Sequence, residues 1–366
     1  MKVIHILDQV NRGGLETLEL DVCRNAGENN LDLIFITLGK GDLFDEFKNS
    51  GVEFYYFQRK YPVDFKIIKE LRKVIKQNNV KVIHAHQDVT LVHAILSSLG
   101  TSAKVVQTIH GFSDKRSSRG RFDFKSYLVH LVGSYLVPAT FAVTNYVRNE
   151  LVKQGYNKRK LKVLYNGIDF GKFHKIQLNG NRDHWPFVFG MVGNFNHVRN
   201  HKVLLEAFAK LVAEGNGVYL KLAGKGELLE PMKEYASHLG ISDRVEFMGS
   251  VSNLQEFFND IDCFVYSSRS DTFGIAVVEA IYSGLPVVVS DNGPFREITL
   301  DGDLARLFKA NDADSMYMCL KNIMEDRTIH VREDSDIKSK TRKLYSIERH
   351  INNLLEAYDS LLQPNL

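Results

Sequence analysis

The amino-acid sequence predicts an α/β protein of two doubly wound domains, each a parallel sheet covered by helices on both faces. Strand-like runs rich in β-branched and aromatic residues alternate with helical periodicity along most of the 366 residues. The alternation restarts in the middle of the chain, and both halves begin with a strand, a glycine-containing loop and a helix. This length suits two domains that each bury their own core.

The predicted strands are short runs separated by residues with helical spacing. In the first half they are 3–7, 33–38, 54–57, 82–86, 104–110, 141–144 and 162–165. In the second half they are 187–193, 218–224, 244–249, 263–268 and 286–290. The polar stretch 174–186 between the two series is the predicted linker, and we place the domains at 1–170 and 171–340.

The last predicted element is a helix over 342–362, where apolar residues recur at helical spacing. An apolar stripe of this kind needs a partner surface, and the second sheet already has its predicted strands. We therefore expect 341–366 to pack at the domain junction and to cross back to the N-terminal domain.

Charge is distributed unevenly between the two halves. Residues 1–170 contain 25 Lys+Arg and 17 Asp+Glu, whereas the remaining residues contain 22 and 27. The basic clusters at 115–125 and 153–162 are typical of a surface that meets an anionic membrane or acceptor, although an ordinary solvated surface is the alternative. No nucleic-acid-binding module accompanies them, so nucleic acid is not an expected partner.

Cysteine usage and the start of the chain favour a cytoplasmic protein, with peripheral contact at the inner face of a membrane as an option. Cys23, Cys263 and Cys319 are too far apart for a disulfide framework or a metal site. The first residues form a predicted strand without a leader. The uncharged run 126–147 contains Pro138, so it predicts a helix and then a strand rather than a membrane span.

The most informative segment is 267–290, in which Asp271 precedes a glycine turn and Glu279 follows eight positions later. It predicts a helix over 275–282. The backbone N–H groups of 273–276 would face an anion such as phosphate, and the two carboxylates would accept hydrogen bonds from sugar hydroxyls. Phosphate plus sugar indicates a nucleotide-sugar; an ordinary βα unit in which Glu279 caps or pairs locally is the alternative.

Other candidate residues lie in the first half. Gly13 and Gly14 form the first βα turn, where glycine lets another group approach the backbone closely. His110 ends a predicted strand, which aims its ring at a ligand cleft, although a structural histidine is the alternative. His84 and His86 point to the same side of their strand. No third metal ligand is evident beside them, so no metal site is predicted.

Several motifs together resemble glycosyltransferase family 4. The matching segments are GGLE (13–16), HGF (110–112), YNGID (165–169), VGNFNHVRNH (192–201), AGKGE (223–227), SDTFGIAVVEA (270–280) and GLPVVVSDNGPFRE (284–297). The resemblance covers nearly the whole chain. It implies a GT-B architecture of two Rossmann-like domains facing a cleft, and a retaining transferase that uses a nucleotide-sugar donor without a cofactor or a metal.

The resemblance also implies roles for the residues of the informative segment. The acid at Glu279 would bind the nucleotide ribose, and the acid at Asp271 would contact hydroxyls of the donor sugar, although the family usually has Glu there. The backbone at Phe273, Gly274 and Ile275 would receive sugar and phosphate oxygens.

The family places an Arg and a Lys on the donor diphosphate, at the positions of Asn194 and Arg199 in this chain. One cation is therefore missing, and Lys225 is our candidate for its replacement. By the same resemblance His110 lies near the reacting carbon of the sugar.

The predicted activity is transfer of a hexose from a UDP- or GDP-sugar to a hydroxyl of a glycan or lipid-linked acceptor, in the synthesis of a surface polysaccharide. Two alternatives remain at this point. A nucleotide-sugar 2-epimerase would bind the same donor, and a binding protein would hold the donor without turnover.

Overall fold

The computed structural model describes residues 1–111, 124–173, 186–251, 253–325 and 335–363. The chain forms two compact units: the first consists of Met1–Asp169 and Tyr345–Leu366, and the second of Phe170–Leu344. Of the predicted linker only Pro186 is described, and of the basic cluster 115–125 only the last two residues; the rest lie outside the described residues.

The first unit contains a parallel sheet whose described strands are β1 (Lys2–Leu7), β2 (Asp32–Thr37), β3 (Glu53–Tyr56), β4 (Val82–Ala85), β5 (Lys104–Ile109), β6 (Ala139–Ala142) and β7 (Leu161–Val163). Its helices are α1 (Gly14–Asn25), α2 (Phe44–Lys48), α3 (Phe65–Gln77), α4 (Asp88–Ser98), α5 (Phe124–Leu136) and α6 (Asn145–Lys153). The strand order is β3-β2-β1-β4-β5-β6-β7, so successive strands are added on one side of β1 up to β3 and, after a reversal, on its other side from β4 onward. In doubly wound sheets ligands bind at such a reversal.

The second unit is also a parallel sheet, with the described strands β8 (Phe187–Val192), β9 (Val218–Ala223), β10 (Val245–Gly249), β11 (Cys263–Tyr266), β12 (Val287–Ser290) and β13 (Arg306–Phe308). Its helices are α7 (His201–Ala213), α8 (Leu229–His238), α9 (Leu254–Asn259), α10 (Ile275–Tyr282), α11 (Gly293–Ile298), α12 (Ala313–Glu325) and α13 (Ser335–Tyr345). The order β10-β9-β8-β11-β12-β13 reverses between β8 and β11. Strand β13 was not predicted, because its three residues include no β-branched side chain and begin with a charged one.

The C-terminal tail differs from the prediction of one helix over 342–362. The structure ends α13 at Tyr345 and begins a new helix, α14 (Ile347–Leu362), after Ser346. Ser346 has extended backbone, and its side chain accepts a hydrogen bond from Arg349 N at 3.2 Å. This serine cap separates two helices. The apolar residues of both follow one helical period, which is why the sequence predicted a single helix.

Alternation along the strands divides the core of the first unit into two layers. Val3 and Phe35 face one side, where Ile351 and Tyr358 of α14 also pack. Ile4 faces the other side, towards α3 and α4. Burial of each large apolar side chain contributes about 1.5–3 kcal/mol, so α14 is a structural part of the first unit.

The uncharged run that resembles a membrane span divides as predicted into α5 and β6. None of the helices within the described residues is both long enough and apolar enough to cross a membrane.

Candidate functional site

Residues that the sequence singles out in the second half follow three strands of one sheet. Asn194 and Arg199 follow β8, Lys225 follows β9 and Asp271 follows β11. Because the carboxyl ends of parallel strands meet at one edge, these loops lie together. Arg269 N donates a hydrogen bond to the main chain of the first loop at 2.8 Å. The structure thus collects four predicted residues at one edge of the second unit.

The centre of this edge is an ion pair between Arg199 and Asp271. Arg199 Nη1 lies 2.6 Å from Asp271 Oδ2 and 3.0 Å from Ser268 Oγ. Tyr266 Oη donates to the same carboxylate oxygen at 3.0 Å, and the Arg199 guanidinium lies 5.3 Å from the centre of the Tyr266 ring. The two charged side chains are 26% and 13% exposed. A charge-assisted pair of this geometry orients both groups.

Protonation states at this edge follow from burial and the pair itself. Burial lowers the pKa of Arg199, but the neighbouring Tyr266 and Asp271 outweigh it, and the pKa is raised. Burial raises the pKa of Tyr266; the positive charge of Arg199 acts against this and Asp271 acts with it. The site therefore contains a permanent cation and a neutral hydroxyl donor.

Asp271 also shapes the turn that begins α10. Its Oδ1 accepts a hydrogen bond from Thr272 N at 2.7 Å and lies 3.4 Å from Phe273 N. Gly274 has φ 89°, and a Cβ there would come within 2.6 Å of the Phe295 ring. Only glycine combines the left-handed backbone with this close approach.

The backbone N–H groups at the start of α10 require a correction. We expected those of 273–276 to face a ligand, but Phe273 N donates to the side chain of Asp271. Within the described residues, no hydrogen bond is formed by the N–H groups of Gly274, Ile275 and Ala276. Three groups rather than four are therefore available to an anion.

Glu279 lies in the second turn of α10 and is half-buried. Helical spacing places it on the same face as Ile275 and Ala276, which are also half-buried, whereas Val277 and Val278 face the core. The glutamate thus follows the start of α10 along its partly exposed face.

The GKG sequence after β9 serves close packing of two loops. A Cβ on Gly224 would lie 2.0 Å from Gly193 O, and one on Gly226 would lie 2.3 Å from Phe195 O. Phe195 N donates to Lys225 O at 2.8 Å. Glycine at both positions therefore lets the loops after β8 and β9 touch through their backbones. Asn194 and Lys225, which lie in these two adjoining loops, are both exposed.

In the first unit, Gly13 precedes Gly14 at the start of α1 and caps the helix. A Cβ on Gly13 would lie 2.6 Å from Glu16 Oε2. Burial raises the pKa of Glu16, a backbone hydrogen bond lowers it, and Glu19 raises it further. The glycine allows this carboxyl group to fold back over the first βα turn.

Strands β1, β4 and β5 carry a buried hydrogen-bonded chain. Glu19 Oε2 lies 2.6 Å from His5 Nδ1, and His5 Nε2 lies 2.9 Å from Tyr358 Oη. The same hydroxyl lies 2.6 Å from His84 Nδ1, and His84 Nε2 lies 2.6 Å from Thr108 Oγ1. One tyrosine of α14 therefore joins two histidines of neighbouring strands.

His110 lies beside this network and is hydrogen-bonded to His86. The His110 Nε2 atom lies 3.0 Å from His86 Nδ1. His86 Nε2 lies 3.4 Å from Glu19 Oε1 but makes no hydrogen bond within the described residues. Burial lowers the pKa of His110 to about 4, although Glu19 acts in the opposite direction. Burial and the neighbouring histidines also lower the pKa of His84 and of His86. These imidazoles are neutral at pH 7.

The predicted pair His84 and His86 does lie on one side of its strand, with ring centres 4.3 Å apart. The expectation that no third metal ligand exists was wrong: ligand atoms of His5, His84 and His86 lie within 4.8 Å of one another. Both ring nitrogens of His5 and of His84 are occupied by hydrogen bonds to Glu19, Tyr358 and a threonine. We therefore interpret the cluster as a polar network.

Sequence reasoning missed several residues that support these groups. Tyr266 lies within the predicted strand 263–268 and ends β11 in the structure; its position five residues before Asp271 was a usable signal. Glu19 and Tyr358 carried no signal, because each lies within an ordinary amphipathic helix.

Comparison with known proteins assigns the class. Residues 12–172 match the family model described as Glycosyltransferase Family 4, and residues 174–344 match the one described as Glycosyl transferases group 1. Two parallel-sheet units with these matches define a GT-B glycosyltransferase. The chain belongs to the family 4-like glycosyltransferases.

The matched relatives include enzymes of polysaccharide synthesis. The capsular polysaccharide biosynthesis glycosyltransferase CapH of Staphylococcus aureus is 24% identical over 80% of this chain and 81% of the relative. The UDP-Gal:alpha-D-GlcNAc-diphosphoundecaprenol alpha-1,3-galactosyltransferase of Escherichia coli is 23% identical over 98% and 96%. The crystal structure of Anabaena HepE in complex with UDP-glucose has a TM-score of 0.81, with 17% identity over 98% of this chain and 100% of that chain.

Proposed function

We propose that this glycosyltransferase moves a hexose from a UDP- or GDP-sugar to a hydroxyl of a glycan or lipid-linked acceptor, with retention of the anomeric configuration, at the cytoplasmic face of a membrane. The observation that carries the proposal is the Arg199–Asp271 pair beside the available N–H groups of α10. A cation, backbone donors and a carboxylate at one sheet edge suit a phosphorylated sugar.

The named relatives support the uridine form of the donor and a lipid-linked acceptor. The Escherichia coli relative carries UDP-galactose and a diphosphoundecaprenol acceptor in its name, and the HepE structure contains UDP-glucose. Both proteins align with nearly the whole chain. We therefore rank UDP-sugars above GDP-sugars for the first test.

The roles of the donor-site residues follow from their chemistry. Arg199 and the N–H groups of Gly274 and Ile275 stabilise the diphosphate, and Glu279 accepts hydrogen bonds from the ribose. Asp271 accepts from sugar hydroxyls and holds Arg199 in place. The Phe273 amide, which already donates to Asp271, positions the turn.

The position of Asn194 leaves the diphosphate with a neutral amide where the family has a cation. Lys225 is exposed on the adjoining loop, and its main-chain oxygen accepts the hydrogen bond of Phe195 N. We propose that the Lys225 ammonium supplies the missing charge.

Catalysis then depends on stabilising charge that develops in the transition state. The anomeric carbon becomes cation-like while the leaving diphosphate gains negative charge, so preorganised donors at the diphosphate lower the barrier. A leaving-phosphate oxygen takes the acceptor proton on the same face of the sugar, which retains the configuration. The family resemblance is the basis for proposing that His110, which is neutral at pH 7, forms a hydrogen bond with the donor sugar.

A donor screen tests the proposal. The pure protein is titrated calorimetrically with UDP, GDP and their common sugars, and the mixtures are then analysed for free sugar and free nucleotide. We expect binding and slow donor hydrolysis with one nucleotide class. Isomerised sugar would support the 2-epimerase instead, binding without chemistry would support a donor-binding protein, and no heat with any compound would contradict the site.

A further inference from the structure

Helix α5 presents an apolar stripe to solvent. Its members are the exposed residues Phe124 (60%), Leu128 (44%), Val132 (47%), Tyr135 (56%) and Leu136 (64%). At 3.6 residues per turn they lie within about 120° of the helix circumference. Scattered exposed apolar residues are ordinary, but a contiguous stripe marks an interaction surface.

A loop that carries three cations is hydrogen-bonded to the end of this stripe. The loop 154–160 contains Lys158, Arg159 and Lys160, and Lys160 Nζ donates to Tyr135 O at 2.6 Å. In return Tyr135 Oη donates to Gly155 O at 2.9 Å. Neither α5 nor this loop contains Asp or Glu. The surface is therefore both apolar and positively charged.

A groove extends the same surface. Leu136 and Lys160 are among the residues that line an open volume of about 880 Å³. Its wall also includes Leu99, which is 57% exposed, together with Pro138 and Lys104. The groove thus repeats the pattern of apolar walls with lysines.

We infer that the stripe of α5, the loop 154–160 and the groove dock on an anionic phospholipid bilayer. Apolar side chains that enter the interface and cations that meet lipid phosphates are stabilised together, and a bilayer offers both environments. A second copy of the chain packed on this surface about a two-fold axis would bring two like-charged patches into one interface. The inference deepens the proposed function, because a lipid-linked acceptor resides in that bilayer.

Sedimentation with vesicles tests the surface in the full chain. The wild type should bind vesicles of phosphatidylglycerol and phosphatidylcholine, release them as salt rises, and bind pure phosphatidylcholine weakly. Lys158→Ala with Arg159→Ala should weaken binding about fivefold per charge removed. Leu128→Ser with Val132→Ser, made in the otherwise wild-type chain, should abolish most of the vesicle binding.

The matched control is Tyr61→Ser with Phe65→Ser, which removes two other apolar side chains of the first unit that are 64% and 79% exposed. This control should bind vesicles like the wild type. Equal binding by the Leu128/Val132 variant, with its circular dichroism unchanged, would overturn the inference. So would stripe-dependent self-association without vesicle binding, measured by analytical ultracentrifugation. Calorimetric UDP titration of every variant reports separately on the proposed donor site.

Discussion

The first and second units differ in the burial and charge of the polar groups beside their sheets. In the first unit, burial keeps His84, within a hydrogen-bonded network, and His86 and His110, beside it, neutral. In the second unit, Arg199 and Asp271 form a charged pair at a partly exposed edge. The two sheets share a parallel, doubly wound topology, so the difference arises from the side chains and not from the fold.

The difference separates stability from ligand recognition. Buried neutral groups that satisfy one another specify packing, and removal of one partner leaves another without a hydrogen bond. A charged pair that keeps some exposure can exchange part of its contacts for a ligand. We therefore expect substitutions in the network to change unfolding, and substitutions at the edge to change donor turnover.

The largest expected effect is on catalysis by Arg199→Ala. Loss of one preorganised donor at the diphosphate should reduce kcat/KM for the donor on the order of 100- to 1000-fold. Donor hydrolysis rates and thermal unfolding are measured together. Arg199→Lys keeps the charge without the planar guanidinium, so its kcat/KM should lie between those of the wild type and Arg199→Ala. Wild-type turnover in Arg199→Ala would contradict a catalytic role for the second-unit pair.

The next effect is on stability, by Tyr358→Phe. This change leaves His5 Nε2 and His84 Nδ1 facing a ring edge, so the free energy of unfolding should fall by about 3 kcal/mol. Urea denaturation measures it. Tyr235→Phe is the control. Its hydroxyl donates to the half-buried Glu206, so its loss should lower the free energy of unfolding by less. UDP affinity should stay unchanged in both variants; a selective loss in Tyr358→Phe would contradict a purely structural role.

A pH series sharpens the contrast further. The pKa of His110 is about 4 when folded and near its ordinary 6.5 when unfolded, so the unfolded chain binds more protons between these values. Its contribution to stability is complete above pH 6.5 and is lost as the pH falls towards 4, by at most about 1.4 kcal/mol per pH unit. His110→Asn should flatten this slope in urea denaturation, whereas His238→Asn on the surface of α8 should leave it intact. Equal slopes in all three proteins would contradict the lowered pKa of His110.

The smallest expected effect tests the replaced cation. Lys225→Ala should weaken UDP-sugar binding about fivefold, because an exposed charge contributes roughly 1 kcal/mol. Asn194→Arg in that background should restore the affinity, as calorimetry would show. Unchanged affinity in Lys225→Ala would mean that the diphosphate is held without this lysine.

Much of the fold could be predicted from local patterns. The helix over 275–282 was predicted with the bounds that α10 has, since a glycine precedes it and a Ser-Gly pair ends it. Strand β13 and the break at Ser346 were missed, because a short strand without β-branched residues and a cap within a continuous apolar period leave little local signal.

The candidate site was predictable only residue by residue. Asp271 and Arg199 were each identified, yet their mutual pairing was not, since each was expected to contact a ligand directly. The use of the Phe273 amide by Asp271 also escaped prediction, because it depends on the side-chain rotamer of one residue.

The local features of this protein therefore follow from the amino-acid sequence alone. These are the alternation of strands and helices, the glycine turns and the order of the candidate residues along the chain. Tertiary structure alone decided which distant residues meet. His5 reaches Tyr358 across 353 positions because β1 and β4 are neighbours beneath α14, and Arg199 reaches Asp271 because β8 and β11 share an edge. Hydrophobic period specifies the face on which a side chain lies, whereas strand order and packing specify its neighbours.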